Sequence, residues 1–424
     1  MQRWLGLRDE YDRLAKQERG GYPITVIENA GALPETLAQV CHALELAANL
    51  VVAPTDTTNK TQLSIGFVEP QRTSRVVPTT YARHLYPVKP TAAYDTYWRF
   101  AVERQKIFFK RFYREHPPWT NDRILTVHKF TNAYRASDRV SQYLIRHVIY
   151  RDDLPKTAPE VFFRIILFKI FNKIETWERL ERAVGAITLE NYSFARFDKI
   201  LTDAQSDGER IYSAAYIMPS GNSLLGHAKK HRNHLQLIER MIADDLPYRL
   251  ADARTMQAGF ILLKAYPTIG NFLAYQYITD INYSELTDFS EMEFVVPGPG
   301  ALDGIRKCFA DLGGLNESEI IKFIAERQEQ EFERLGLKFE SLWGRRLQLI
   351  DCQNLFCEVD KYARVHHPEL VGLTGRTRIK QRFTAHSTPL NLWYPPKWKI
   401  NESLNGERGV ELPTSLPAAV RRRK

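Results

Sequence analysis

Val296-Pro297-Gly298-Pro299-Gly300-Ala301-Leu302-Asp303-Gly304 leads directly into a helical stretch, Ile305 to Phe309. Two glycines separated by one residue permit a tight hairpin, and the backbone N–H groups at the start of the following helix can hold a phosphate oxygen. Gly304 is small where a helix must approach its neighbour. The pattern predicts a helix-hairpin-helix, with Gly298 and Gly300 gripping a DNA backbone, a contact that positions a duplex without reading its bases. A weaker hairpin candidate is Tyr266-Pro267-Thr268-Ile269-Gly270. An ordinary helix connection or helix cap is the plainer reading of either one.

Outward from this motif the helical period dominates. Apolar residues recur at three- and four-residue intervals over 94–113, 124–150, 159–184, 194–202, 223–243, 253–265, 269–279, 303–312, 317–334 and 350–365. Strand-like alternation is scarce, so the sequence predicts a mainly α body over 91–370. Residues 1–90 form a mixed N-terminal appendage. The basic, Pro-containing segment 371–424 reads as a C-terminal extension.

The chain has 424 residues, with 44% hydrophobic and 26% charged residues and a mean hydropathy of −0.38, values of a globular protein rather than a disordered one. The N-terminus, MQRWLGLRDEYDR, lacks the apolar run of a signal peptide, and no run long enough to span a membrane occurs. A cytoplasmic protein with no membrane partner and no obligate protein partner is expected. Four cysteines without a CxxC argue against a disulfide framework, a zinc ribbon or an iron–sulfur cluster. No metal or other cofactor is expected. The formal net charge is +9, and from Gly372 to Lys424 eleven Lys/Arg face three Glu. That local excess points to a polyanion such as DNA, or to a solvated tail. Within it Arg376, Arg378, Lys380 and Arg382 alternate, which places all four on one side of an extended segment as a phosphate-tracking edge.

Two polar stripes are candidates for chemistry. In Leu349 to Arg364, helical spacing aligns Asp351, Asn354, Glu358 and Lys361, with Asp351 at a helix N-terminus that favours its ionised form. In Lys129 to Leu144, Asn132, Arg135, Asp138 or Arg139, and Gln142 recur at similar intervals. Facing each other across a cleft, the stripes would offer carboxylate, amide and cation together, a set suited to stabilising a positively charged sugar or activating water. An N-cap with a Glu358–Lys361 pair, and an Arg135–Asp138 pair, are the plainer readings. His227, His231 and His234 share a helical face, but their lysine and arginine neighbours favour a basic surface helix over a metal site. Phe108, Phe109, Phe112 and Tyr113, among basic residues, read as the buried face of an amphipathic helix rather than a base-stacking surface.

KFTNAYRASDRVSQYLI from Lys129, FFRIILFKIFNKIETWE from Phe162, TIGNFLAYQYITDINYS from Thr268, EFVVPGPGALDGIRKCF from Glu293 and LIDCQNLFCEVDKYARV from Leu349 together resemble a helical family associated with thymine hypermodification in phage DNA. This is the alpha-glutamyl/putrescinyl thymine pyrophosphorylase and 5-hydroxymethyluracil DNA kinase helical-domain group, itself similar to helix-hairpin-helix DNA glycosylases. The resemblance covers most of 92–383. It implies a glycosylase-like helical fold and a modified, phage-type DNA duplex as partner. The function it suggests is a DNA glycosylase that flips out and excises a bulky 5-hydroxymethyl-type pyrimidine, leaving an abasic site, in anti-phage defence. Asp351 would be the catalytic carboxylate, with Asn354, Glu358, Lys361, Asn132, Arg135 and Asp138 around it. Asp351 lies farther beyond Gly300 than in the glycosylase pattern, so Asp288 and Glu291, at that spacing from Gly270, are alternative carboxylates. A second reading is a transferase that attaches an amine or amino acid to activated 5-hydroxymethyluracil with pyrophosphate release. A third is a non-catalytic DNA-binding module. No GxxxxGK[ST] loop for ATP occurs in the sequence.

Overall fold

The computed structural model of the protein describes residues 87–215, 218–385 and 389–408. Apart from 87–90 the N-terminal appendage lies outside the described residues, as does 409–424. Helix α1 (Ala92–Phe112) starts where the Thr91 hydroxyl accepts from the Ala93 N–H. It turns Tyr97, Trp98, Ala101 and Phe108 into the core and leaves Tyr113, just past its end, half exposed. Ahead of it β1 (Lys89–Pro90) pairs antiparallel with β2 (Phe309–Asp311), the one sheet among the described residues. The fold is mainly α.

The long periodic stretches break where local hydrogen bonding outcompetes the helix. The expected run 124–150 divides into α2 (Arg123–Val127), an extended segment, a 3-10 turn (Arg135–Ser137), α3 (Arg139–Tyr143) and a π-helical turn (Leu144–Ile149). In the gap Asn132 donates its amide to the Ser137 carbonyl, and its backbone N–H donates to Asp138, bonds a continuous helix would not allow. The run 159–184 splits at Asn172, which adopts a left-handed conformation between α4 (Ala158–Phe171) and α5 (Ile174–Val184). After α6 (Phe194–Ser206), Gly226 at φ 81° separates a single helical turn from α7 (Lys230–Ala243). Helix α7 is not a surface helix as expected. His231 and His234 are fully buried, bonded to Asp198 and to Tyr212 and the Pro219 carbonyl respectively. Among the described residues no group of His, Cys, Asp or Glu is placed to hold a metal ion.

Helix α4 is apolar nearly all round and correspondingly central. Phe162, Phe163, Ile165, Ile166 and Leu167 are completely buried, each contributing about 1.5–3 kcal/mol relative to exposure. Around it pack α7, α8 (Leu246–Ala251) and α10 (Asn271–Ile281), with α9 (Met256–Lys264) against α10. The second centre is α13 (Leu349–His366), against which α1, α11 (Pro299–Cys308) and α12 (Glu317–Arg334) pack. A final helix, α14 (Asn401–Arg408), follows a strap over the body.

The Gly298–Gly304 motif takes a different form from the expected hairpin. Gly298 is the N-cap of α11 at φ −79°, neither Gly298 nor Gly300 has a positive φ, and the long non-helical connection 282–298, rather than a short hairpin, separates α10 from α11. The glycines serve close packing instead. A Cβ on Gly304 would overlap the Phe356 carbonyl of α13, and one on Gly300 would press on Cys357. The weaker candidate comes closer to the expected form: the short connection 265–270, with Thr268 left-handed at φ 69° and Gly270 as the N-cap of α10, joins α10 to the α9 helix packed against it.

Candidate functional site

The two polar stripes do come together, joined by direct hydrogen bonds rather than standing across an open cleft. Asp351 sits in the first turn of α13, where its Oδ2 accepts from the Gln348 N–H at 3.0 Å and its Oδ1 from the Arg135 N–H at 2.8 Å. Lower on α13, Glu358 accepts from the Thr131 N–H at 3.0 Å and pairs with Lys361 at 2.7 Å. Lys361 also lies 4.6 Å from the centre of the Phe130 ring. Burial pushes the Asp351 carboxyl up to about 6, against the pull of its two N–H donors. Asn354 is partly exposed and forms no side-chain hydrogen bond among the described residues.

Arg135 does not pair with Asp138. Its guanidinium, 2% exposed, forms a two-pronged ion pair with Asp280 of α10 at 2.7 and 2.9 Å. It also donates to Gln276 and to the Tyr283 hydroxyl. Lys169 of α4 approaches the same carboxylate at 3.0 Å. Burial works to raise the Asp280 carboxyl, yet Arg135 and Lys169 hold it below the usual range, while burial lowers Lys169 to about 8. Sequence reasoning missed Asp280, Gln276 and Lys169. The available signal was a set of charged and amide groups inside helices otherwise apolar on every face.

Asp138 is partly buried and accepts from the Asn132 N–H at 2.8 Å. Burial, with Glu358 adding to it, pushes its carboxyl up to about 7. Arg104 of α1 donates to the Thr131 carbonyl and to Asn132 Oδ1, knitting α1 to this segment. Of the alternative carboxylates, Glu291 adjoins Asp351, its backbone carbonyl accepting from the Leu349 N–H at 3.4 Å and its charge helping to raise the Asp351 carboxyl. Asp288 is almost fully exposed near Lys397, and Glu291 is bound by Arg345 at 2.6 Å.

The basic segment is docked on the helical body. Asp303 of α11 accepts from the Thr374 N–H, Arg364 of α13 donates to the Arg378 carbonyl, and the Lys129 and Phe383 N–H groups bond the Gln381 and Val127 carbonyls. Ile379 and Phe383 pack inward, whereas Arg376, Arg378, Lys380 and Arg382 are exposed and form no ion pair among the described residues. Where this segment meets α1 and α2 it encloses a groove of about 230 Å³. Trp119, Phe130 and Phe383 form its walls, and Arg104 and His128 line it.

Residues 91–372 match the family described as the helical domain of 5-hmdU DNA kinase. The chain belongs to this family. Over 294 residues it is 27% identical to a protein named 5-hmdU DNA kinase from Bacillus phage SP10, an alignment covering 65% of this chain and 46% of that one. The chain thus spans about half the length of that relative. No solved structure matches it. The relative's name overturns the expected glycosylase, a hydrolase leaving abasic sites. A kinase is a transferase. The geometry around Asp351 offers the physical reason the sequence misled, since both carboxylate oxygens are already engaged by backbone N–H groups. No described helix is long and apolar enough to cross a membrane.

Proposed function

We propose that this chain is the DNA-engaging helical part of a transferase acting at the 5-hydroxymethyl group of 5-hmdU in DNA. The observation that carries the reading is the docked basic edge. Four cations free of ion pairs lie on the surface of a body that belongs to the 5-hmdU DNA kinase helical-domain family. Phosphate contacts of this kind fix register and orientation while leaving chemistry to groups nearby. In such a transfer the hydroxymethyl oxygen attacks the terminal phosphoryl group of a nucleoside triphosphate and loses its proton, while the bond to the bridging oxygen breaks and the nucleoside diphosphate leaves. A carboxylate whose pKa lies near neutral is matched to accepting that proton, as Asp138 is. Asn132 fixes Asp138, Glu358 and Lys361 hold the adjoining segment, and Arg135 and Asp351 position the turn that carries them. Gly298 and Gly300 then act through helix packing rather than as phosphate ligands.

The test is to mix purified protein with duplexes containing 5-hmdU or thymine and with ATP labelled in its terminal phosphate. Binding is followed by anisotropy and the digested nucleosides by mass spectrometry. Preference for the 5-hmdU duplex, with label on its nucleoside, supports the reading. Absence of DNA binding refutes it. Attachment of an amine with pyrophosphate release would keep the transferase class and replace the phosphoryl donor.

A further inference from the structure

The groove beside the basic edge is used by none of the residues assigned above. We propose that it is a binding site for one unpaired base of a DNA strand whose phosphates run along Arg376 to Arg382. The inference rests on the DNA-engaging reading and adds to it where, and in what state, a base is held.

Three observations carry it. The first is size and wall chemistry. About 230 Å³ lies below the roughly 300–1,000 Å³ of clefts for drug-sized ligands, which suits a single ring rather than a whole dinucleotide. Trp119, Phe130 and Phe383 supply aromatic walls against which an unstacked base can pack. Trp119 is held in place by its Nε1–H donating to the Glu115 carbonyl, by Arg111 5.4 Å from its ring centre and by Phe383 edge-on at 6.4 Å.

The second is uncommitted polarity. His128 lines the groove, and its Nδ1, although buried, has no hydrogen-bond partner. Arg104 also lines it, and only its Nε and Nη2 form hydrogen bonds among the described residues. A buried imidazole nitrogen without a partner is costly unless a ligand completes it. A base edge supplies both acceptors for Arg104 and a partner for His128. The third is charge. The segment that bears Arg378, Lys380 and Arg382 is the same one whose Phe383 and Ala385 form the rim, and it is pinned to the groove's other side by the His128–Arg382 bridge. A nucleic-acid strand following those cations is delivered to the groove mouth. A neutral aromatic ligand would gain nothing from them.

The experiment compares two otherwise identical duplexes, one fully paired and one with a single bulged 2-aminopurine, at protein concentrations that saturate anisotropy. The wild-type chain is expected to prefer the bulged duplex by about tenfold, the equivalent of roughly 1.4 kcal/mol, and to change the fluorescence of the bulged base as it stacks. Ala385→Trp, which fills the mouth from an exposed position, and His128→Ala are each expected to abolish the preference and the fluorescence change. Equal wild-type affinity for both duplexes overturns the proposal, as does a preference that survives in both variants. Failure to bind either duplex would instead strike the DNA-engaging reading itself, so the two failures are distinguishable.

Discussion

Replacing Arg376, Arg378, Lys380 and Arg382 together with glutamine should flatten the salt dependence of DNA binding while leaving base preference almost unchanged. All four side chains are exposed and form no ion pair among the described residues, so each is available to a phosphate without first breaking an internal contact. An extended chain rises roughly 3.3 Å per residue, which would separate alternate cations by about 6.6 Å, close to the distance between successive phosphates along one strand. Each lost contact removes about 0.9 from the slope of log affinity against log salt, so four remove about 3.6. Between about 50 and about 200 mM salt the wild-type chain should therefore lose on the order of 150-fold more affinity than the variant. Anisotropy titrations of a 5-hmdU duplex at four salt concentrations measure both slopes. A slope difference below about one would mean that the edge is a solvated face, and the reasoning from exposure to phosphate contact would be wrong.

Gly304→Ala should destabilise the fold by about 3 kcal/mol or more in urea melts, because its Cβ meets the backbone carbonyl of Phe356 and backbone cannot rotate away. Gly406→Ala, in α14 with open space around it, should be neutral or stabilise by up to about 1 kcal/mol. Asp280→Asn should cost about 3–5 kcal/mol, since it leaves Arg135 and Lys169 as buried cations without their shared anion. A variant within about 1 kcal/mol of wild type would show that the network is solvated. For Asp138 burial lifts the carboxyl from its ordinary 3.8 to about 7, so its contribution to stability is fully present below the unfolded pKa and is lost as pH rises through about 7. Urea midpoints from pH 4 to 8 should show that decline in the wild-type chain and less of it in Asp138→Asn. Parallel curves would show that the decline has another source.

Helix boundaries were legible where the chain itself marks them. Helix α12 begins and ends where its period predicts because Asn316 and Glu319 form a reciprocal capping box at its start. The break at Asn172 was not legible, since the apolar period runs on through Phe171 and Ile174 and only one left-handed residue interrupts it. The stripe on α13 was readable from spacing alone, because 3.6-residue geometry fixes which groups of a helix share a face, whereas 129–144 is broken into an extended segment, a 3-10 turn and a short helix and meets α13 through the backbone N–H groups of Thr131 and Arg135. The Arg135–Asp280 pair was not, since its partners are 145 residues apart and nothing local distinguishes it from an Arg135–Asp138 pair. The Gly298–Gly304 glycines read identically whether they serve a turn or a close helix crossing. Only the neighbour, Phe356 of α13, decides between the two.

Asp351 carries the same lesson to function. A carboxylate in the first turn of a helix looks the same in sequence whether one oxygen is free for chemistry or both are taken. Here both are taken, one by its own helix entry and one by the Arg135 backbone, so the residue ties α13 to the segment before α3. The Arg135 side chain continues that tie to Asp280 on α10, and Asp280 continues it to Lys169 on α4. One chain of charge-assisted bonds thus joins the cores built around α13 and α4, and a group so committed has little left to offer a substrate. Groups with bonding capacity to spare lie at the rim instead, in His128, Arg104 and the cations of the basic edge. Unmet polarity beside aromatic walls and free charge is what a ligand can complete, and the groove offers it where the buried carboxylate does not.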